Sequence, residues 1–165
     1  PAVDSVGGGG DHMVSLSYEQ MNLEVQNVKL YLKSKGYSCV CHDSELNNPL
    51  DYLQKIADSH VFLALLTPGY LESRRCMVQL LAAVMQDRAK VVLVLIRPPQ
   101  EVGFPEKLKQ IDFPDWDQLE QPFSYNMPTT GLQLIGSRCL QKIKQLSQQD
   151  PKSKERPSED RKSVV

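Results

Sequence analysis

Two stretches of the chain are apolar at every position: Val61 to Leu66 (VFLALL) and Val91 to Ile96 (VVLVLI). A half-exposed strand alternates apolar and polar residues, because its side chains point to opposite faces. A short run without alternation reads as a strand buried on both faces, in the interior of a parallel sheet. Parallel neighbours require crossover connections, so helices must lie between such strands. After Leu66 the chain makes a Thr67-Pro68-Gly69 turn. From Tyr70 the period changes, with Leu71, Arg75, Val78 and Ala82 on one side of a helix over about 70–88. This is half of a βα unit, and open α/β sheets place their sites at the C-terminal ends of such strands. Arg97-Pro98-Pro99 stops the second run.

The rest of the chain fits the same alternation. Met13 to Tyr18 reads as a first strand, with Val14, Leu16 and Tyr18 alternating with serines. Residues 19 to 35 read as a helix with Met21, Val25, Val28 and Leu32 in one stripe and Gly36 at its end. Tyr37 to Cys41 reads as a second strand, and a polar loop runs from His42 to Pro49. Leu50 to Ala57 reads as a short helix carrying Leu50, Leu53 and Ile56. Between 97 and 127 the pattern is irregular, with a short edge strand expected at Ile111-Asp112-Phe113 and Trp116 and Phe123 as anchors. A final helix is expected over about 129–147, with Leu132, Ile135, Cys139, Ile143 and Leu146 on one face. The implied class is α/β: a flavodoxin-like three-layer sandwich. Its mostly parallel sheet has four to five strands, with helices on both faces and right-handed crossovers.

Residues 1–12 read as a flexible leader, because Gly7 to Gly10 would cost too much backbone entropy to order alone. They do not follow a strand and lack a following Lys-Ser/Thr, so they are not a phosphate loop. Residues 13–147 form the expected domain. From 148 to 165 the chain is a mixed-charge tail with too little apolar surface to order itself. Starting at Pro1, without an initiator Met, the chain reads as a segment of something longer. Were Ser163-Val164-Val165 a true C-terminus, it would suit strand addition in a PDZ-type groove. A net charge of −1 gives no general reason to bind nucleic acid or an anionic membrane. No apolar run is long enough for a transmembrane segment, and no signal peptide is visible. Cys39, Cys41, Cys76 and Cys139 read as structural or free thiols of a reducing, cytoplasmic compartment. Cys39 and Cys41 share one strand face, but no second pair or histidine sits at ligand spacing, so no metal is expected.

With these elements placed, the chain resembles a Toll/interleukin-1 receptor (TIR) domain over about residues 13–147. The likeness is strongest from Ser59 to Leu80: Ser59, Val61-Phe62, Leu65-Leu66-Thr67-Pro68-Gly69-Tyr70-Leu71, Ser73, Cys76 and Leu80. Ser17-Tyr18 matches the end of the family's first motif, and Asp43 matches an acid common after the second strand. Four departures stand out, one being Asn47-Asn48-Pro49 in the loop after the second strand, which in the family often contains Gly. The first motif is degraded, with His12-Met13 at its lead-in and Ser15 for an aromatic. Arg75 stands where Trp is usual. Gln79 stands where the family's helical glutamate lies, three residues after the cysteine.

That last position carries the chemistry the resemblance implies. Some TIR domains cleave the glycosidic bond of NAD, and the glutamate stabilises positive charge developing on the ribose. Gln79 keeps the size but not the charge, and losing one such group costs about two to three powers of ten in rate. The resemblance therefore implies a non-catalytic adaptor with no required cofactor, in innate-immune or stress signalling. Its partners would be other TIR-like domains, itself or other signalling proteins. Its interaction loop would be Ser44, Glu45, Leu46, Asn47, Asn48, Pro49 and Leu50, with the exposed faces of the second and third helices.

The alternative is NAD cleavage with a displaced acid, for which Glu72 is a weak substitute, or binding of NAD or a related nucleotide without cleavage. The cleft would then be lined by Ser17, Tyr18, Asp43, Thr67, Gly69 and Gln79. Cys76 on a helix facing the sheet reads as core rather than as a nucleophile, and His42 and His60 have no assigned partner. A receiver domain shares the alternation but needs clustered acids at the first strand and an Asp ending the third. Ser17-Tyr18-Glu19 and Thr67 do not supply them.

Overall fold

The computed structural model describes residues 12–41, 49–125 and 135–148. Five strands form one sheet in the order β2-β1-β3-β4-β5, and every pairing is parallel. They are β1 (His12–Ser17), β2 (Tyr37–Cys41), β3 (Val61–Leu66), β4 (Val91–Leu95) and β5 (Phe123–Ser124). The helices are α1 (Leu23–Ser34), α2 (Pro49–Asp58), α3 (Arg74–Asp87), the short α4 (Pro99–Val102) and α5 (Glu106–Gln110), and α6 (Ser137–Ser147). This is the expected α/β architecture of three layers.

The unbroken apolar run of β3 lies at the centre of the sheet, between β1 and β4, and all six of its residues are buried. Its side chains divide between two cores. Val61, Leu63 and Leu65 meet Val14, Leu16 and Tyr18 of the first-strand region, Val25, Val28 and Leu32 of α1, and Cys139, Ile143 and Leu146 of α6. Phe62, Ala64 and Leu66 face the other way, onto Ile56 of α2, Leu80 and Ala83 of α3, and Val102, Leu108 and Phe113 from the segment after β4. Burial of this kind contributes about 25 cal/mol per Å2 of apolar surface, which is why the two all-apolar runs dictate the fold.

Side-chain caps fix the helix starts. Asn22 accepts from the Val25 amide at 2.8 Å and opens α1, and Ser73 accepts from the Cys76 amide at 3.2 Å and opens α3. Gly36, at φ +94, takes the left-handed conformation that ends α1. Lys90, buried before β4, donates to the carbonyls of Ile56 at 2.6 Å and Ser59 at 3.3 Å. It so satisfies acceptors at the C-terminal end of α2.

Several boundaries differ from the sequence expectation. β1 starts and ends one residue earlier than Met13–Tyr18. The expected helix from Tyr70 is instead a 3-10 turn, Tyr70–Glu72, separated from α3 by extended Ser73. Ile111-Asp112-Phe113 is not a strand. α5 ends there, Asp112 adopts φ 55, and Phe113 is buried under the sheet. The fifth strand is Phe123–Ser124. The last helix begins at Ser137, while Ile135 bridges antiparallel to Tyr125. Within α3 the core face is Cys76, Gln79, Leu80, Ala83 and Val84, not the side bearing Arg75, Val78 and Ala82. Met21 is 42% exposed and lies before α1 rather than in its buried stripe.

Candidate functional site

The C-terminal ends of β1 and β3 meet at the turn Thr67 to Gly69, beside the start of α3. Ser15 and Ser17 of β1 point to the α3 side of the sheet, where the neighbouring central strand β3 presents Phe62, Ala64 and Leu66. Each serine finds a buried polar partner. The Ser15 and Ser59 hydroxyls lie 2.6 Å apart. Ser17 donates to Gln79 Oε1 at 2.7 Å and lies 2.8 Å from the Tyr70 hydroxyl. The single Ser17 proton goes to Gln79, so the Tyr70 phenol donates to Ser17.

This gives a buried relay, Tyr70 to Ser17 to Gln79, joining the 3-10 turn, β1 and α3. Ser17 and Tyr70 are fully buried and Gln79 is 2% exposed. Burial pushes the Tyr70 phenol well above its ordinary range; the nearby Cys76 adds to this, and the Ser17 hydrogen bond and Arg75 oppose it. Tyr70 is therefore a neutral donor. Burial likewise raises Cys76, against a smaller opposing effect from its hydrogen bond with Ser73. It packs fully buried in the core rather than standing as a thiolate.

Sequence reasoning named two further residues here but gave them no role in the site. Arg75 donates to the carbonyls of Tyr18 at 3.3 Å and Glu19 at 2.5 Å, clamping the segment after β1 to the first turn of α3. The Glu19 carboxylate lies over Gly69, where a Cβ would sit 3.0 Å from it. The available signal was Glu19 directly after Ser17-Tyr18 at a strand end, and a cation in place of Trp at Arg75.

The other named positions scatter. Tyr18 is buried on the α1 and α6 side of the sheet, the face opposite Gln79. Thr67 is buried and its hydroxyl has no hydrogen-bond partner among the described residues. Gly69 is half-buried. Glu72 forms an ion pair with Lys107 of α5. His60 Nδ1 accepts from the Met13 amide at 3.3 Å, a structural link between β1 and the start of β3. Asp43 and the loop residues Ser44 to Asn48 lie outside the described residues, as do His42, the leader to residue 11 and the tail from 149; Pro49 and Leu50 open α2. Among the described residues, no group of three or more His, Cys, Asp or Glu is gathered for a metal ion. No described helix is long and apolar enough to cross a membrane.

Comparisons with known proteins bear on the fold and the family. No curated protein matches the chain. Among solved structures, the TIR domains of the activated Roq1 resistosome directly recognizing the pathogen effector XopQ superimpose with a TM-score of 0.53 at 18% identity. That match covers 82% of this chain and 98% of that one. A flavodoxin-like domain from Synechococcus sp is also similar, with a TM-score of 0.47 at 13% identity, covering 82% of this chain and 96% of that one. At 18% identity the likeness to the Roq1 TIR domains speaks to fold alone. The family model described as the TIR domain matches residues 14–124, well over half of the chain, and the chain belongs to that family.

Proposed function

We propose that this domain is a non-catalytic TIR module acting by association with itself or with other TIR-like domains in cytoplasmic signalling. The observation that carries the reading is Gln79. It is uncharged, 2% exposed, and spent on an internal hydrogen bond to Ser17. NAD cleavage asks for a carboxylate facing the ribose as positive charge develops there. A neutral side chain turned into the core and held by a strand hydroxyl supplies neither the charge nor the access. The association surface we propose is Ser44 to Leu50 with the outer faces of α2 and α3. The test of the non-catalytic role is incubation of the purified chain with NAD. No nicotinamide is expected; steady release, lost on Glu72→Ala, would overturn the reading.

One observation favours a second reading. The Glu19 carboxylate, not Glu72, lies against Gly69 at the C-terminal end of β3. It is the described acid best placed to serve a displaced site, either for NAD cleavage or for binding a related nucleotide. Release of nicotinamide that survives Glu72→Ala and disappears in Glu19→Gln would favour it over the adaptor.

A further inference from the structure

The net charge of −1 conceals an uneven distribution between the two faces of the sheet. α1 and α6 cover one face, through Val25, Val28 and Leu32 and through Cys139, Ile143 and Leu146. Away from that core, α1 carries Lys29, Lys33 and, at its cap, Lys35, and α6 carries Arg138, Lys142 and Lys144. The one acid on these two helices is Glu24, and it is paired with Arg97 at 3.0 Å. Lys142 is paired with Glu120 at 3.0 Å. The remaining five cations make no ion pair among the described residues, and all but the half-buried Lys29 are exposed. The opposite layer is different. There Arg88 is matched by Asp115, Lys107 by Glu72 and Lys109 by Glu106.

Apolar side chains stand among the unmatched cations. At 3.6 residues per turn, Leu23 and Leu30 lie two turns apart on the side of α1 opposite its core stripe. Leu23 is 72% exposed and Leu30 57%. Beside α6 the surface is concave, with a cavity of about 590 Å3 lined by Arg138, Lys142 and Lys144, by glutamine amides and by Phe123. Unmatched cations attract any polyanion, but protruding leucines discriminate among polyanions. A phosphate backbone gives them nothing to bury against. The interface of a bilayer takes up apolar side chains while its headgroups meet the lysines and arginines.

We infer that the layer formed by α1 and α6 docks on an anionic lipid bilayer. Leu23 and Leu30 enter the boundary between headgroups and acyl chains, Lys33 and Lys35 meet anionic headgroups, and the cavity beside α6 takes a headgroup phosphate between Arg138 and Lys144. This docking goes beyond the association role and does not depend on it.

Vesicle sedimentation with the full chain tests it, using phosphatidylcholine alone and equal parts phosphatidylcholine and phosphatidylserine. The chain should pellet with the mixed vesicles and not with the neutral ones, and less so as salt rises. Each cation near such a surface strengthens binding about fivefold, so Lys33→Glu and Arg138→Glu, which also add a repulsive charge, should each weaken it about tenfold or more. Leu30→Gln should weaken it about fivefold and leave the salt dependence unchanged. Arg74→Glu reverses an exposed arginine on the opposite layer and should bind as wild type does. A melting curve identical to wild type confirms that each variant is folded. Where a Glu variant melts early, Lys33→Gln or Arg138→Gln carries the same test with a loss of about fivefold.

Wild-type chain that ignores the mixed vesicles would overturn the inference. Arg74→Glu weakening binding as much as Lys33→Glu would overturn the face, because net charge alone would then account for the attraction. Binding unmoved by Leu30→Gln would overturn insertion into a bilayer, and displacement of that binding by duplex DNA would make nucleic acid the occupant instead.

Discussion

Gln79 occupies a core position because β1 offers it a hydroxyl. Ser17 donates to Oε1 at 2.7 Å, and removing the amide leaves that buried proton without its acceptor. A buried polar group left unpaired costs about 1–3 kcal/mol. Gln79→Leu should therefore lower stability by about that amount in urea titration, although it adds apolar surface. Removing Ser17 together with Gln79 should cost less than the two single changes added, because the orphaned partner is gone as well.

The thiols make a second residue-scale prediction. Burial pushes Cys139 from its ordinary 9.0 up to about 12, so the folded chain holds this proton more tightly than the unfolded one. The stability that follows is complete below the unfolded value of 9.0 and is lost as pH climbs toward about 12. Urea midpoints should fall between neutral pH and the interval between those values, and more shallowly in Cys139→Ala. An equal slope in the variant would exclude Cys139 as a source of that pH dependence.

Helices and strands differ in how much of themselves they print in the sequence. β3 was legible to the residue, Val61–Leu66, because a strand buried on both faces needs an apolar side chain at every position. The face of α3 was not legible. Both its sides carry apolar residues, and its core side includes Gln79, which accepts from a serine far away in sequence. Periodicity sees neither fact. β5, at two residues, is too short to show a period, and Ile111-Asp112-Phe113 imitated one. The Ser17–Tyr70–Gln79 relay joins residues from three elements, so no local pattern announces it. The likeness to the family, by contrast, was legible from the Ser59–Leu80 spacing together with Ser17-Tyr18 and Asp43.

A prediction at this scale concerns Lys90, whose ammonium joins the carbonyls of Ile56 and Ser59 at the end of α2. Lys90→Met keeps most of the stem packing but takes the ammonium from the buried Ser59 carbonyl, while the Ile56 carbonyl keeps the Ser59 amide at 3.1 Å. The cost should be about 1–3 kcal/mol, with amides of α2 exchanging faster than those of α1 relative to wild type.

At the scale of the whole molecule the sheet should open from its edges. β3 is paired on both sides, to β1 through Val14–Ser17 and to β4 through Val91–Leu95, and both its faces are covered. β5 contributes two residues, paired only to β4 among the described strands. Local opening needs less free energy where fewer buried contacts must break. Amides of β3 should therefore exchange at the rate set by global unfolding, while the β5 amides exchange through local opening and stay insensitive to mild denaturant. Leu63→Ala, which empties a fully buried site on the central strand, should cost about 2–5 kcal/mol. It should accelerate exchange in β1, β3 and β4 together, because their protection shares one global event. If it accelerated β3 alone, the sheet would not be one cooperative unit, and the two cores on its faces would be stabilised separately.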